Sequence, residues 1–168
     1  MFQAASIAIQ DKPAFYDELN RQLEGLLSGE RDFIANAANL SALIFNLVPD
    51  LNWAGLYLMR GNDLILGPFQ GKPACVRIPV VPTPRGVCGA AAASRQAQLV
   101  KNVHDFPGHI ACDSASNSEV VVPLIAESRV IGVLDIDSPI VARFDADDQR
   151  GFEALAATFL RLTDLPAQ

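Results

Sequence analysis

Residues 109–125 read His-Ile-Ala-Cys-Asp-Ser-Ala-Ser-Asn-Ser-Glu-Val-Val-Val-Pro-Leu-Ile, a polar stretch of small residues followed at once by an apolar run. This pattern is typical of a loop that leads into a buried strand. The loop carries one thiol, Cys112, and loops held on a rigid scaffold often carry chemistry. Two interpretations stay open from this stretch alone: a reactive cysteine, or a small buried hydrophobic residue.

Composition sets the outer limits of the fold and the function. The 168 residues are half apolar and 19% charged, so we expect one globular domain over 1–168. The net charge of −6 and the lack of a basic cluster count against nucleic acid as a partner. No apolar run approaches membrane-spanning length. The first residues carry no positive charge, so we expect no secretory signal and a cytoplasmic protein with reduced cysteines.

Apolar periodicity predicts a mixed α/β (α+β) domain, with a mainly antiparallel central sheet and helices packed on it. Helices are predicted at 12–28, 31–48, 87–94 and 146–164, and strands at 52–59, 63–68, 74–80, 98–100, 120–126 and 130–137. The first helix precedes the first strand by a whole helix, which makes it a candidate for packing on a partner instead of the core. Residues 101–118 form a long polar segment, and such long loops are usually functional.

Two carboxylates stand out in the last predicted strand. Asp135 and Asp137 are two residues apart and therefore project from one face. Their repulsion requires a cation, a ligand ammonium or a proton, unless the strand has ended and both acids are solvated. Glu119 begins the neighbouring strand. A two-residue turn at 127–128 would set Glu119 opposite Ile136, whereas a three-residue loop or a bulge would make the three acids converge.

Further candidates are two cysteines and an aromatic pair. Cys88 lies near the start of an alanine-rich helix, where the helix dipole favours a thiolate. The alternative is a small residue chosen for close packing. Trp53 and Tyr57 lie two strand periods apart and share a face, either in the core or as a pocket wall.

Two rival chemistries have weaker support. The possible zinc ligands are widely spaced in the sequence and include no Cys-x-x-Cys motif, so we expect no metal site. The residues of suitable type are Cys75, Cys88, His104, His109 and Cys112. Pairing of Cys112 with His109 or His104 would suit acyl transfer, but no third group or oxyanion signature accompanies it.

Four segments resemble the signature of the free methionine-(R)-sulfoxide reductases, which are GAF-domain enzymes. They are Gly-Val-Cys-Gly at 86–89, Gly-His-Ile-Ala-Cys-Asp at 108–113, Ala-Ser-Asn-Ser-Glu at 115–119 and Gly-Val-Leu-Asp-Ile-Asp-Ser at 132–138. The resemblance extends over roughly 12–163. It implies a GAF-like catalytic domain, a homodimer, no cofactor, and thioredoxin as reductant.

The resemblance also implies a role for each candidate residue. Cys112 would be the catalytic thiol, and Cys88 and Cys75 would supply the resolving thiols. The substrate site would be lined by Glu119, Asp135 and Asp137, and one of its walls would be formed by Trp53 and Tyr57. These roles suit reduction of free L-methionine-(R)-sulfoxide. A clustered carboxyl donates a proton, with Glu119 and Asp137 as the catalytic acids, and other carboxylates hold the substrate ammonium. The attacking thiol becomes a sulfenic acid and then a disulfide.

A GAF domain without turnover is the rival class. It would use the same pocket to bind a small ligand, with its cysteines acting as a redox sensor.

Overall fold

The computed structural model describes residues 4–108, 110 and 114–165, so Cys112 and His109 lie outside the described residues. The helices are α1 (Lys12–Leu27), α2 (Phe33–Leu47), α3 (Gly86–Ser94) and α4 (Ala146–Leu162), with a short 3-10 turn at Val103–Asp105. The strands are β1 (Trp53–Arg60), β2 (Asp63–Gly71), β3 (Arg77–Pro79), β4 (Gln98–Val100), β5 (Ser118–Ala126) and β6 (Arg129–Ser138). No helix in these ranges is long and apolar enough to cross a membrane.

Aspartate side chains fix where three helices begin. Asp11 accepts a hydrogen bond from the Ala14 amide at the start of α1, and Asp145 forms a reciprocal capping box with Asp148 at α4. Both helices begin where the sequence predicts. The second helix starts two residues later than predicted, because the carboxylate of Asp32 caps it from outside the helix.

The six strands form one antiparallel sheet in the order β3-β2-β1-β6-β5-β4, as the α+β prediction requires. Alternating side chains of β1, β5 and β6 divide the apolar residues into two clusters. One cluster packs α1, α2 and α4 against one face of the sheet. The other packs α3 against the opposite face, and the candidate site lies on that side.

The expectation that α1 serves a partner instead of the core is wrong. Tyr16, Leu19 and Leu23 of α1 are buried in the larger cluster, where the helix packs against α4. Gly151 allows this close contact, since a Cβ there would lie 2.1 Å from the Tyr16 ring. The Tyr16 hydroxyl also donates a 2.9 Å hydrogen bond to buried Asp148.

The third strand is shorter than the predicted 74–80. Only Arg77–Pro79 pair with β2, at the outer edge of the sheet. Cys75 lies before the strand, and its carbonyl accepts a 3.0 Å hydrogen bond from the Tyr57 hydroxyl. The apolar alternation therefore extends further along the chain than the strand pairing does.

Candidate active site

The hairpin of β5 and β6 decides where the acids lie. Its turn has two residues, Glu127 and Ser128, both with positive φ (49° and 62°), as a tight primed hairpin turn requires. The register shifts by one residue between Leu124 and Ile125, which marks a bulge. The pairing of Glu119 thereby moves from Ile136 to Asp137.

Three side chains meet on the α3 side of the sheet. Glu119 comes from β5, Asp135 from β6 and Cys88 from the first turn of α3, and one ligand atom of each lies within 4.8 Å of the others. The Cys88 Sγ is 4.0 Å from Glu119 Oε1. Glu119 and Asp135 are only 5% and 6% exposed. The alternative that the strand ends and the acids are solvated is therefore wrong for Asp135, whereas Asp137 is half-buried.

Burial changes the protonation of this cluster. It raises the pKa of Glu119 well above its usual range, and the neighbouring carboxylates of Asp135 and Asp137 raise it further. Burial also raises the pKa of Asp135, to about 6, against opposing hydrogen bonds with Cys88 and Glu119. A carboxyl that keeps its proton near neutral pH can serve as a general acid.

Of the two interpretations that the sequence leaves open for Cys88, the structure favours the closely packed residue over the thiolate. Complete burial, together with the charges of Asp135 and Glu119, raises the pKa of the Cys88 thiol well above its usual range. The positive end of α3 does not offset the loss of solvation and the two facing acids. Cys88 is a protonated, free thiol within the acid cluster.

An aromatic layer borders the acids. Trp53 stacks with Tyr57 at a centroid distance of 5.8 Å and with Phe69 of β2 at 5.3 Å. Gly55 pairs with Phe69 across the strands and leaves room for the indole, since a Cβ there would lie 2.6 Å from Trp53 Cη2. Phe69 is not among the residues expected from the sequence, because the predicted strand stops at Pro68. Extending the hairpin pairing without a bulge would set Phe69 opposite Ala54 on the other face, whereas the register shift between Gly55 and Tyr57 places it beside Trp53.

Two buried polar atoms in this region have no hydrogen-bond partner in the described part of the chain. They are the indole nitrogen of Trp53 and Oδ1 of Asp135. Leaving such a group unsatisfied costs about 1–3 kcal/mol, so native proteins rarely tolerate it without a ligand or water. A donor and an acceptor on the α3 side of the sheet are thus available to a bound molecule or to water.

The three cysteines have different surroundings. Cys75 is half-buried and disulfide-bonded, Cys88 is free and buried, and Cys112 lies outside the described residues. A disulfide in a chain expected to be cytoplasmic indicates redox chemistry rather than a structural staple.

The residues of a type suited to zinc are not brought together as a set within the described ranges. There, Cys88, Glu119 and Asp135 form the one group of three that is close enough for a cation, and neither Cys75 nor His104 belongs to it. The donor set could hold a metal ion or an organic ammonium. His104 Nε2 lies 3.0 Å from the side-chain oxygen of Asn117, and its suggested pairing with Cys112 falls outside the described residues.

Comparison with known proteins gives one consistent result. The model of the GAF domain family matches residues 36–160. Free methionine-R-sulfoxide reductase of Escherichia coli is 53% identical over 147 residues, which cover 88% of this chain and 87% of that protein. The Saccharomyces cerevisiae enzyme of the same name is 42% identical, over 87% of this chain and 84% of that protein.

A solved structure extends the likeness to the backbone. The Neisseria meningitidis free methionine-R-sulfoxide reductase, solved in complex with its substrate, superposes with a TM-score of 0.90 at 41% identity. The match covers 96% of this chain and 95% of that one. The acids, thiols and aromatic layer thus lie on a scaffold shared over nearly its whole length, and the chain belongs to the GAF-domain family and, within it, to the free methionine-(R)-sulfoxide reductases.

Proposed function

We propose that this chain is a single cytoplasmic catalytic domain that reduces free L-methionine-(R)-sulfoxide to L-methionine with its own thiols. The observation that carries the proposal is the buried acid cluster, in which the pKa of Glu119 is raised beside Asp135 and Asp137. The names of the E. coli and yeast relatives and the N. meningitidis substrate complex support the choice of substrate.

The first step transfers oxygen from the substrate to a thiol. The sulfur of Cys112 attacks the sulfoxide sulfur, and the oxygen must gain a proton as its bond to the substrate weakens. Glu119 is suited to donate that proton, because burial and neighbouring charges keep it protonated. The products are methionine and a sulfenic acid on Cys112, so sulfur of the substrate is reduced and sulfur of the protein is oxidised.

Recognition of a free amino acid follows from the other carboxylates. Asp135 and Asp137 can hold the substrate ammonium by charge-assisted hydrogen bonds, and Oδ1 of Asp135 lacks a partner in the described part of the chain. A peptide-bound methionine has an amide in place of that ammonium. The apolar layer of Trp53, Tyr57 and Phe69 suits the S-methyl end of the substrate.

We assign the resolving step to Cys75. The sequence left open which of Cys75 and Cys88 resolves first, but Cys75 is disulfide-bonded, whereas Cys88 is free and protonated among the acids. Attack of the Cys75 thiol on the sulfenic acid forms a disulfide and releases water. A dithiol protein such as thioredoxin then returns both thiols to the reduced state.

We further propose that the active species is a homodimer.

The test is a thioredoxin-coupled NADPH assay with the free R sulfoxide, the free S sulfoxide and a peptide-bound sulfoxide. We expect turnover of the free R form alone, and complete loss of it in Cys112→Ser. Stoichiometric binding of a ligand without its consumption would instead favour the sensor class, and turnover in Cys112→Ser would overturn the assignment of the thiol.

A further inference from the structure

Two exposed apolar side chains flank β3, and one of them adjoins the disulfide-bonded Cys75. Val76 is 70% exposed, the highest value among the large apolar side chains of the described residues. Val81, at the other end of β3, is 49% exposed. Isolated exposed apolar side chains are common, so these two are of interest because they flank the edge strand that follows the disulfide-bonded Cys75.

The backbone that presents these side chains is held in place. The Tyr57 hydroxyl donates to the Cys75 carbonyl at 3.0 Å, and the Leu66 amide donates to the Val76 carbonyl at 3.0 Å. The Val81 amide donates to the Asn62 carbonyl at 3.1 Å. A surface that is already ordered loses little conformational entropy when a partner binds it.

The same edge carries the opposite charge to the rest of the protein. Residues 71–85 contain Lys72, Arg77 and Arg85 and no acidic residue, in a chain of net charge −6. Arg77 pairs with Asp63 at 2.6 Å, and Arg85 forms no ion pair with any described residue. A local basic patch on an acidic protein steers an acidic partner to that patch.

We propose that Val76 and Val81, with the flanking basic side chains, form the docking surface for an acidic dithiol protein that reduces the disulfide of Cys75. The proposal rests on the proposed function, because it names the surface through which the reductase is regenerated. The adjoining disulfide favours this partner over a second copy of the chain, because a second copy is also acidic and charge does not separate the two. The edge adjoins the disulfide, and its charge would attract an acidic protein.

The partner supplies the two electrons that reduction of the disulfide requires. A thiolate of the reductant attacks one sulfur of the disulfide, and the S–S bond breaks to give a mixed disulfide and a free thiol. The second thiol of the reductant then displaces the remaining protein sulfur. Two electrons pass to the protein, which gains two thiols, and the reductant leaves as a disulfide.

The test compares two reductants on matched variants. Val76→Asp places a negative charge beside Cys75, and Val141→Asp, at a site 54% exposed, is the control. In Val76→Asp we expect the KM for thioredoxin to rise about tenfold, as for the loss of one contributing interface contact, with unchanged turnover when dithiothreitol is the reductant. Val141→Asp should match the parent protein with both reductants.

The two reductants also separate this inference from the proposed function. Equal loss with thioredoxin and dithiothreitol in Val76→Asp, or an unchanged KM for thioredoxin, would overturn the docking surface. If Val76→Asp changed only the sedimentation of the protein, the edge would be an interface with a second copy of the chain. That result would also overturn the docking surface. Absence of dithiothreitol-supported turnover in the parent protein would count against the proposed function itself. Arg85→Glu should reproduce the rise in KM and reduce its dependence on salt.

Discussion

Glu119 and Asp137 lie directly opposite each other on β5 and β6, in a pairing that requires both a two-residue turn and a bulge. With the turn alone, Glu119 would face Ile136. The bulge between Leu124 and Ile125 shifts the pairing by one residue, so that Glu119 faces Asp137. Like charges in that position are destabilising in an ordinary sheet, so the arrangement is better explained by chemistry than by stability.

Replacing Glu119 tests its proposed role as proton donor. Glu119→Gln keeps the shape of the side chain and removes the titratable proton, so we expect turnover to fall about 10²–10⁴-fold, the usual contribution of a general acid. Steady-state kinetics with free methionine-(R)-sulfoxide measure this, alongside circular dichroism to confirm the fold. Glu127→Gln, in the exposed turn of the same hairpin, is the matched control. Near-normal rates in Glu119→Gln would exclude the carboxyl from the mechanism.

Asp135 should make the stability of the protein depend on pH. Its pKa of about 6 in the fold exceeds the value of about 3.9 in an unfolded chain, so the native state binds the proton more tightly. The free energy of unfolding therefore falls as pH rises from about 4 through 6, by roughly 2–3 kcal/mol in total. Asp135→Asn cannot ionise and should be more stable than the parent at pH 8, with the gain disappearing by about pH 4. Urea denaturation at both pH values measures it, and an equal difference at both would refute the assignment.

The two cysteines outside the attacking loop should behave differently when each is replaced by serine. Cys75→Ser should still form about one methionine per chain without a reductant, but lose most of its multiple turnover, because the proposed resolving thiol is missing. Cys88→Ser should retain recycling, since Cys88 is free in the structure. Mass spectrometry of peptides from oxidised protein locates the disulfide. If Cys75→Ser retained multiple turnover and Cys88→Ser lost it, Cys88 and not Cys75 would be the resolving thiol.

Much of the fold could be predicted because each element carries its own local signals. The aspartate caps at 11 and 145 and the 3.6-residue periodicity set the helices, and alternation sets the strands of the central sheet. The register of β5 on β6 could not be predicted, since a bulge depends on packing and leaves little trace in the sequence. The sequence could state the two outcomes for Glu119 but could not choose between them.

The failed predictions share a physical cause, which is that the environment outweighed a local preference. Cys88 lies at a helix start, but its burial against Asp135 and Glu119 decides its protonation. The apolar alternation of 74–80 suggested a longer strand, but pairing with β2 covers only Arg77–Pro79, and the Tyr57 hydroxyl holds the Cys75 carbonyl. In each case a residue distant in sequence supplies the deciding contact.

The aromatic layer depends on the absence of a side chain at Gly55. A Cβ there would lie 2.3 Å from the Cβ of Phe69 and 2.6 Å from Trp53 Cη2, so Gly55→Ala forces both rings to move. We expect a loss of about 1–3 kcal/mol in unfolding free energy from overpacking, together with a marked fall in kcat/KM. Gly29→Ala is the control, because its Cβ meets nothing and its φ of +85° still makes the change cost about 1–2 kcal/mol. Thermal denaturation and turnover are measured on both variants. If Gly29→Ala loses as much activity as Gly55→Ala, then lowered stability alone explains the effect, and the aromatic layer has no specific role in binding the substrate.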